Sequence, residues 1–536
     1  MRSTFHGLEV AKRGMFTQQS ALYVTGHNIA NANTPGYSRQ RVNFVQTEPY
    51  PPASMNRPQI PGQMGTGVEA GSIERVRESF LDIQYRGENN KLGYWEARAE
   101  ALKKMEDIMN EPSDSGLSKT MDQFWQSLQD LSVNPENEGA RSVVRQRGLA
   151  VVETFHYLYD SLSQIKNDLG HEIGVTITEI NSLAQQISKI NQQISEIEPH
   201  GYLPNDLYDE RDRLIDELSK LVNVQVEKVP SGGNALKIAE GTYNIYLVDS
   251  NGNPILDSNN QKIYLVQGNH TNAFSLPNGI GGDIDGDGVK ETPTSDIDNV
   301  QIGGVSISIT SFPSGKLLGL IESFGYKDSL GNVKGIYPEM INNLDNLAYT
   351  FGTVFNAIHK EGYGLNSAAK APAFFDESTL TVPGAAKNIK LSSAIDDLSN
   401  IAASTKQGVS GNGNNALNLA SVGKILLSSG TVNLIDVSIS LPTSLPLTSG
   451  TIQSNYQGWI GKLGVDGQQA ERLKNNSEVL WQSVEERRQS VSSVSLDEEM
   501  INMIKFQHAY NAAARQITAI DEMLDKIING MGIVGR

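Results

Sequence analysis

The sequence predicts an α+β multidomain protein, in which N- and C-terminal segments form an α-helical coiled-coil or bundle rod and a β-rich domain is inserted mid-chain. Three observations predict this class. Apolar residues recur at heptad spacing near both ends, the pattern of paired helices. The apolar period changes from about 3.6 towards 2 within residues 224–337, as in strands. With 536 residues, the chain also exceeds what one hydrophobic core usually organises.

The composition excludes several classes of function. Lysine and arginine number 44 against 61 aspartates and glutamates, a net charge of −17, so we expect no nucleic-acid partner. The absence of cysteine excludes disulfides, zinc–thiolate sites and cysteine nucleophiles. The sequence contains no run of about 18 apolar residues, so we expect no membrane insertion. The opening MRSTFHGLEVAKRGMF lacks the apolar core of a secretory signal, so we expect no cleavable signal peptide.

The first predicted helix covers residues 5–31 and carries a thin apolar stripe near heptad spacing. Gln18 and Thr25 are softer members of that stripe. Its apolar members are Leu8, Ala11, Met15, Leu22 and Ile29.

The polar stretch HNIANANTPGYSRQ, residues 27–40, follows this helix and has two interpretations. It is a helix C-cap in the first, because asparagine and glycine tolerate positive φ and Pro35 stops the helix. In the second it is an interaction surface, since it lies between a thin amphipathic helix and an extended arm. We predict that both hold, and that the stretch sets the register between subunits through Asn28, Asn31, Asn33, Thr34, Gly36 and Tyr37.

The middle of the chain divides by pattern. Five prolines between residues 49 and 61 exclude regular helix, so 41–77 is predicted to be an extended arm or linker. Helical patterns then cover about 78–110, 116–132, 136–197 and 206–221. We predict these domains: a terminal coiled coil of 1–40 paired with 495–536; an α-helical rod of 78–223 with 338–494, including a loop-rich return at 363–450; and an inserted, β-rich outer domain of 224–337.

The last predicted helix begins at SLDE, where Ser495 and Glu498 form a capping box. Beyond it, apolar residues keep a strict three-four alternation, so we expect the chain to double back and pair its first helix with its last. Such stripes are often internal core, but their position at both termini favours packing between copies. We therefore place these residues in an assembly interface with the first stripe: Met503, Phe506, Tyr510, Ala513, Ile517, Ile520, Leu524 and Ile527.

One stretch, GDIDGDGVKETPT, matches half of a calcium-binding loop. Asp283, Asp285 and Asp287 alternate before Gly288, which places carboxylates around one ion and allows the sharp turn. The acidic residue expected at the twelfth position is replaced by Thr294. The pattern fits a weak structural calcium site and a solvated acidic loop equally well.

Other candidate sites are weaker. DSNGNPILD resembles a second calcium loop, but Pro254 stands where glycine belongs, so a hairpin turn is expected. The eight histidines are scattered, and the chain has no H-E-x-x-H, G-x-S-x-G or P-loop motif. We therefore predict no enzymatic activity.

SALYVTGHNIANANTPGYSRQRV resembles the N-terminal signature of the axial proteins of the bacterial flagellum, the rod, hook and hook-associated proteins. MGTGVEAGSIERVRESFLDIQYR and the ending SVSLDEEMINMIKFQHAYNAAARQITAIDEMLDKII are similar, more narrowly, to hook-associated members that form the junction between hook and filament. The close match covers about 85 residues at the start and 45 at the end.

This resemblance implies a secreted, extracellular structural protein that the flagellar type III apparatus exports unfolded. It implies terminal helices paired in the axial tube, and a ring of copies that joins the hook protein to hook-associated protein 3. A cytoplasmic export chaperone is a further implied partner. The calcium-like loop is not part of the family pattern. The alternative is a secreted, calcium-stabilised binding module or adhesin that acts through the β-rich insertion.

Overall fold

The computed structural model describes residues 4–55, 62–113, 116–277, 281–282, 292–293, 295–365, 367–428 and 430–530. It is mostly helical, with small β-sheets in the middle of the chain, which confirms the predicted α+β class. The chain divides into two compact units. The first unit comprises Met1–Asn89, Asn181–Asn272 and Glu478–Arg536, and the second comprises Asn90–Ile180 and Ala273–Ser477.

The helices follow the predicted order, and the first five lie within two residues of the predicted bounds. They are α1 (Thr4–Ala30), α2 (Ser79–Met109), α3 (Leu117–Val133), α4 (Glu138–Ile197), α5 (Asn205–Leu221), α6 (Lys316–Phe324), α7 (Ile336–His359), α8 (Ala385–Asn388), α9 (Asn414–Ala420), α10 (Ile452–Ser492) and α11 (Leu496–Gly530).

The strands form small antiparallel sheets: β1–β2, the four-stranded β3-β4-β5-β6 in the first unit, the three-stranded β11-β10-β7 in the second, and the pairs β8–β9, β12–β13 and β14–β15. Their bounds are β1 (Gln40–Gln46), β2 (Val68–Arg75), β3 (Val224–Val229), β4 (Thr242–Leu247), β5 (Tyr264–Gln267), β6 (His270–Thr271), β7 (Phe274–Ser275), β8 (Gly281–Gly282), β9 (Thr292–Pro293), β10 (Asn299–Ile302), β11 (Val305–Ser308), β12 (Tyr326–Lys327), β13 (Val333–Lys334), β14 (Thr431–Asn433) and β15 (Ser438–Ser440).

The stretch DSNGNPILD is the predicted hairpin turn. Val248 and Pro254 pair across it. The Asp249 carboxylate Oδ1 accepts the backbone amides of Asn251 and Asn253, each at 2.8 Å. An aspartate that holds two amides of its own turn in this way stabilises the bend without any metal.

The first unit contains a group of buried ion pairs around α5. The Asp212 carboxylate lies 3.0 Å from Arg75 Nη1, 3.4 Å from Arg77 Nη1 and 3.1 Å from Arg86 Nη2. Burial alone would raise the pKa of Asp212, but the charges of these arginines outweigh it and hold the pKa well below its usual range. Arg488 of α10 joins the group through Asp216. The root of β2, the start of α2 and the end of α10 are thereby fastened to α5.

The second unit has an aromatic core. The rings of Phe124, Phe351, Phe355, Phe374 and Phe375 contact one another with centroids 5.0–6.2 Å apart. Offset and edge-to-face contacts of this kind stabilise a core beyond the area they bury. Phe374 and Phe375 of the loop-rich return pack against α7 in this cluster.

His359, at the end of α7, fastens that return by hydrogen bonds. It is fully buried, its Nδ1 donates to the Pro372 carbonyl at 2.8 Å, and its Nε2 accepts the Ala402 amide at 3.0 Å. This pattern requires the neutral imidazole. Burial, with the charge of Arg141 nearby, lowers the pKa of His359 to about 4.

Acid should therefore destabilise the fold through His359. Its pKa is about 4 when folded and 6.5 when unfolded, so the unfolded state binds the extra proton and stability is lost as the pH falls below 6.5. We expect this histidine to lower the free energy of unfolding by about 2.5 kcal/mol between pH 7.5 and 4.5. Urea unfolding followed by tryptophan fluorescence at both pH values should show a smaller drop for His359→Gln than for the wild type. His171→Gln, at an exposed position of α4, should keep the wild-type drop; equal drops for all three proteins would contradict this role.

Candidate assembly site at the terminal helices

Helices α1 and α11 form an antiparallel pair with one continuous register. Near one end, a side chain added at Gly7 would lie 3.3 Å from Ile520 Cδ1, and near the other the Asn28 amide bonds to Glu499. Gly7 and Asn28 are 21 residues apart, as are Glu499 and Ile520. The two helices therefore keep the same register over three heptads, as in a coiled coil. The predicted pairing of the first helix with the last is confirmed.

Between Gly7 and Asn28, the face of α1 that packs on α11 consists mainly of small residues. Its buried members are Ala11, Ala21, Thr25 and Asn28. The larger residues that the sequence placed in the seam are only partly buried, at its margin: Leu8, Met15, Leu22 and Ile29. Small side chains let the helix axes approach closely. Ala11 and Thr25 of the predicted stripe lie in the seam, whereas the buried Ala21 and Asn28 each precede a predicted residue, Leu22 and Ile29, by one position.

The face of α11 agrees better with the prediction. Six of the predicted residues are partly buried, namely Phe506, Tyr510, Ala513, Ile517, Ile520 and Leu524. Met503 and Ile527 are exposed, at 36% and 45%. By the register above, Thr4, the first described residue of α1, lies opposite about residue 523 of α11. Ile527 therefore has no described α1 residue opposite it.

The hairpin β1–β2 covers a second face of α1. Thr17 Oγ1 donates to the Val68 carbonyl at 3.0 Å, and His6 Nε2 lies 3.2 Å from the Gly65 carbonyl. Phe44 of β1 contacts Phe506 of α11, with ring centroids 6.0 Å apart. The two paired strands of the arm predicted at 41–77 therefore lie along the helix pair.

Asn28 is the centre of the polar stretch that follows α1. It is fully buried, and its amide nitrogen donates to the Gln40 carbonyl at 2.8 Å and to Glu499 Oε2 at 3.2 Å. Its amide oxygen accepts the Gln40 amide at 3.0 Å and the Tyr37 hydroxyl at 2.8 Å. Burial, and then the charge of Asp206, raises the pKa of Tyr37, so the phenol stays a donor. One side chain thereby joins the end of α1, the start of β1 and the start of α11.

The rest of the stretch has the predicted capping role. Asn31 donates from its backbone and its side chain to the His27 carbonyl, at 3.0 and 3.1 Å, and Thr34 Oγ1 donates to Asn31 Oδ1 at 3.2 Å. Gly36 has a φ of +81°, which an L-residue rarely adopts. Asn33, Thr34 and Gly36 are exposed, so their predicted contact with another subunit stays a prediction.

Arg39 holds the joint between α10 and α11, a contact that the sequence analysis missed. Its backbone amide donates to the Ser492 carbonyl at 2.8 Å, and its guanidinium binds Glu499 at 2.8 Å and Glu498 at 2.7 Å. The predicted capping box is half present: Ser495 Oγ accepts the Glu498 amide at 3.5 Å, while the Glu498 carboxylate binds Arg39. The sequence could have indicated this contact. Glu499 lies seven residues before Phe506, so it is a charged residue at a position of the apolar seam, where a partner for its charge is expected.

Two apolar surfaces of the pair remain exposed. Phe5, Phe16 and Tyr23 of α1, here called the aromatic stripe, are exposed by 63%, 52% and 71%. The second lies on α11 and comprises Met500, Ile501 and Ile504 near its start and Met523 and Ile528 near its end. Large exposed apolar side chains gathered on one element mark an interaction surface.

The predicted calcium ligands Asp283, Asp285 and Asp287 lie outside the described residues. Within the described part of the chain, no group of three or more acidic or histidine side chains could hold a metal ion. None of the described helices is long and apolar enough to cross a membrane.

Comparison with known families gives three matches. Residues 102–375 match the model of the flagellar hook-associated protein FlgK helical domain. Residues 487–530 match that of the flagellar basal body rod FlgEFG protein C-terminal, and residues 8–37 that of flagella basal body rod protein. The two rod matches fall on α1 with its polar stretch and on the end of α10 with α11.

The chain is also similar to individual proteins. It is 43% identical to flagellar hook-associated protein 1 of Bacillus subtilis over 100% of both chains. It is 29% identical to flagellar hook-associated protein 1 of Salmonella typhimurium, over 66% of this chain and 56% of that protein. The solved structure of the flagellar hook junction protein FlgK from Burkholderia pseudomallei has the same fold, with a TM-score of 0.56 and 14% identity, over 76% of this chain and 100% of that one.

Replacing Asn28 by aspartate should loosen the helix pair. The change removes both amide donors and sets a carboxylate against buried Glu499, which we expect to cost about 3 kcal/mol. Amide hydrogen exchange in residues 17–30 and 496–510 should become about 100-fold faster. Asn251→Asp, the same change at an exposed turn, is the control. Unchanged exchange in Asn28→Asp would show that the hydrogen bonds of Asn28 do not hold α1 and α11 together.

Proposed function

The chain belongs to the flagellar hook-associated protein 1 family, and from this premise we propose that it forms a ring of copies through its terminal helices. It is a structural, non-enzymatic protein of the bacterial flagellum, located outside the cell at the junction between hook and filament. The ring joins the hook protein on one side to hook-associated protein 3 on the other.

The strongest support for the ring is the exposed aromatic stripe. Helix α1 already packs on α11 with one face and on the β1–β2 hairpin with a second, yet Phe16 and Tyr23 on its third face remain in water. Burying an aromatic side chain contributes about 1.5–3 kcal/mol. A neighbouring copy that covers the stripe gains this energy at each contact.

The predicted seam residues have a different part in this proposal. Apart from the exposed Met503 and Ile527, those of α1 and α11 pack within one chain and set the geometry of the pair, while the exposed side chains meet other proteins. Asn28 acts as a positioning residue, because both donors and both acceptor positions of its amide are already occupied by groups of its own chain. The exposed Asn33, Thr34 and Gly36, beside the stripe's helix, are proposed contacts between copies.

The end of α11 is the proposed contact for proteins above or below the ring. Met523, Ile527 and Ile528 are exposed by 55%, 45% and 71%, and they lie near or beyond the end of the described part of α1. We propose that hook-associated protein 3 or the hook protein covers them in the flagellum. Before type III export of the unfolded chain, a cytoplasmic chaperone would cover the same apolar face.

Charging the aromatic stripe should abolish assembly and leave the chain folded. A carboxylate at a buried contact between copies is costly, whereas at an exposed position of the free chain it is not. In cells that lack the native chain, Phe16→Asp combined with Tyr23→Asp should give hooks without filaments and flagellin in the medium, seen by electron microscopy and immunoblotting.

The matched control is Tyr157→Asp combined with Val175→Asp. These residues of α4 are exposed by 64% and 58%, much like the stripe, but lie in the second unit. Cells with the control should swim normally, and both variants should have wild-type circular dichroism. Normal filaments on cells with the charged stripe would overturn the proposed ring contact.

A further inference from the structure

Helix α10 carries four glycines at every third position: Gly458, Gly461, Gly464 and Gly467. In a helix interior, each glycine lowers the equilibrium for helix formation about fivefold relative to alanine. Four such residues within ten positions make this part of α10 much weaker as a helix than the rest. They need an explanation, because the helix continues through them without a break.

Close packing within the chain does not explain these glycines. A side chain added at Gly458, Gly461 or Gly464 would meet no atom within 4 Å, and at Gly467 the nearest atom, Glu106 Oε2, is 3.7 Å away. Glycine is required where another group approaches closely or where φ is positive, and neither holds here. Backbone freedom is what remains.

The space beneath the same segment is incompletely filled. A cleft of about 490 Å³ lies between α2, α7 and the glycine-bearing turns of α10, all within the second unit. α10 contributes Trp459, Lys462, Leu463 and Asp466 to its lining. Between Tyr456 and Ala470, Leu463 is the one buried side chain, and Trp459 and Ile460 are half-buried, so the segment is weakly held over about four turns.

The turn before the segment is firmly fixed, in contrast. Tyr456 is buried, its hydroxyl donates to Glu111 Oε1 at 3.2 Å, and Asn455 donates to the Ser449 carbonyl at 2.7 Å. After the segment, the buried series resumes at Ala470 and Ser477. A weak stretch between two anchored stretches, with room beneath it, has the physical properties of a hinge.

We propose that residues 458–467 are a flexible joint in α10, which bends towards the cleft and lets the two ends of the helix change their relative direction. The joint is a property of the single chain and does not depend on the ring. Its bending moves Trp459 and Leu463 into or out of the cleft.

The joint can be removed without disturbing packing. Gly458→Ala, Gly461→Ala and Gly464→Ala place methyl groups in open space, so the triple variant should fold normally. Amide hydrogen exchange in residues 456–468 should become on the order of 100-fold slower than in the wild type. Gly87→Ala in α2, also at an open position, is the control and should leave this segment's exchange unchanged.

A distance measurement tests the bending itself. Because the chain has no cysteine, Gln457→Cys with Arg472→Cys gives two unique, exposed sites for spin labels on either side of the joint. The rigid triple variant should give one narrow distance near 22 Å between the labelled backbones, and the wild type a broader and shorter distribution. Equally narrow distributions in both proteins, or equal amide exchange, would overturn the proposal.

Discussion

The geometry of the terminal helices depends on one buried carboxylate. Glu499 lies in the first turn of α11, 2% exposed, and accepts hydrogen bonds from Asn28 and Arg39. Each hydrogen bond to a buried charge contributes about 1.5–3 kcal/mol, and losing one partner leaves the charge uncompensated. Because these donors lie near the two ends of the polar stretch, the carboxylate fixes where α1 ends, where β1 starts and how α11 is aligned with both.

The same stretch is fastened to α5 through a second set of charges. The Ser38 amide donates to Asp209 Oδ2 at 3.0 Å, and Asp209 pairs with Arg75, which also binds Asp212. Buried ion pairs add little net stability compared with apolar packing, but they tolerate few alternative arrangements. They therefore give this part of the first unit a defined geometry, and the proposed ring, in which each subunit repeats the same contacts, requires one.

Much of the fold could be predicted from the sequence, because helical periodicity is strong and local. α1 to α5 fall within two residues of their predicted bounds, and the pairing of α1 with α11 follows from their heptads. The strands between 224 and 337 were expected, but their arrangement in separate small sheets was not, since pairing partners distant in sequence leave no local signal.

The site was harder to predict, because burial and not hydrophobicity decides which residues meet. The seam of α1 is built from Ala11, Ala21 and Thr25. Ala11 and Thr25 were predicted, but the small Ala21 carries a weak apolar signal, so the larger Leu22 beside it was placed in the stripe instead. Asn28 was recognised as important, but its partners Gln40 and Glu499 are visible only in three dimensions. The aromatic stripe was missed because Phe5 lies eleven residues before Phe16, so its three residues do not follow a strict heptad.

The central claim is that the third face of α1 is buried between copies in the flagellum. A single cysteine in place of Tyr23 tests it directly, because the native chain has none to compete for the reagent. The account predicts rapid maleimide labelling of this cysteine in the purified chain and at least tenfold slower labelling in isolated hook–filament structures. A cysteine in place of Tyr157 should serve as the internal reference for accessibility. Equally rapid labelling of position 23 in both states would contradict the account.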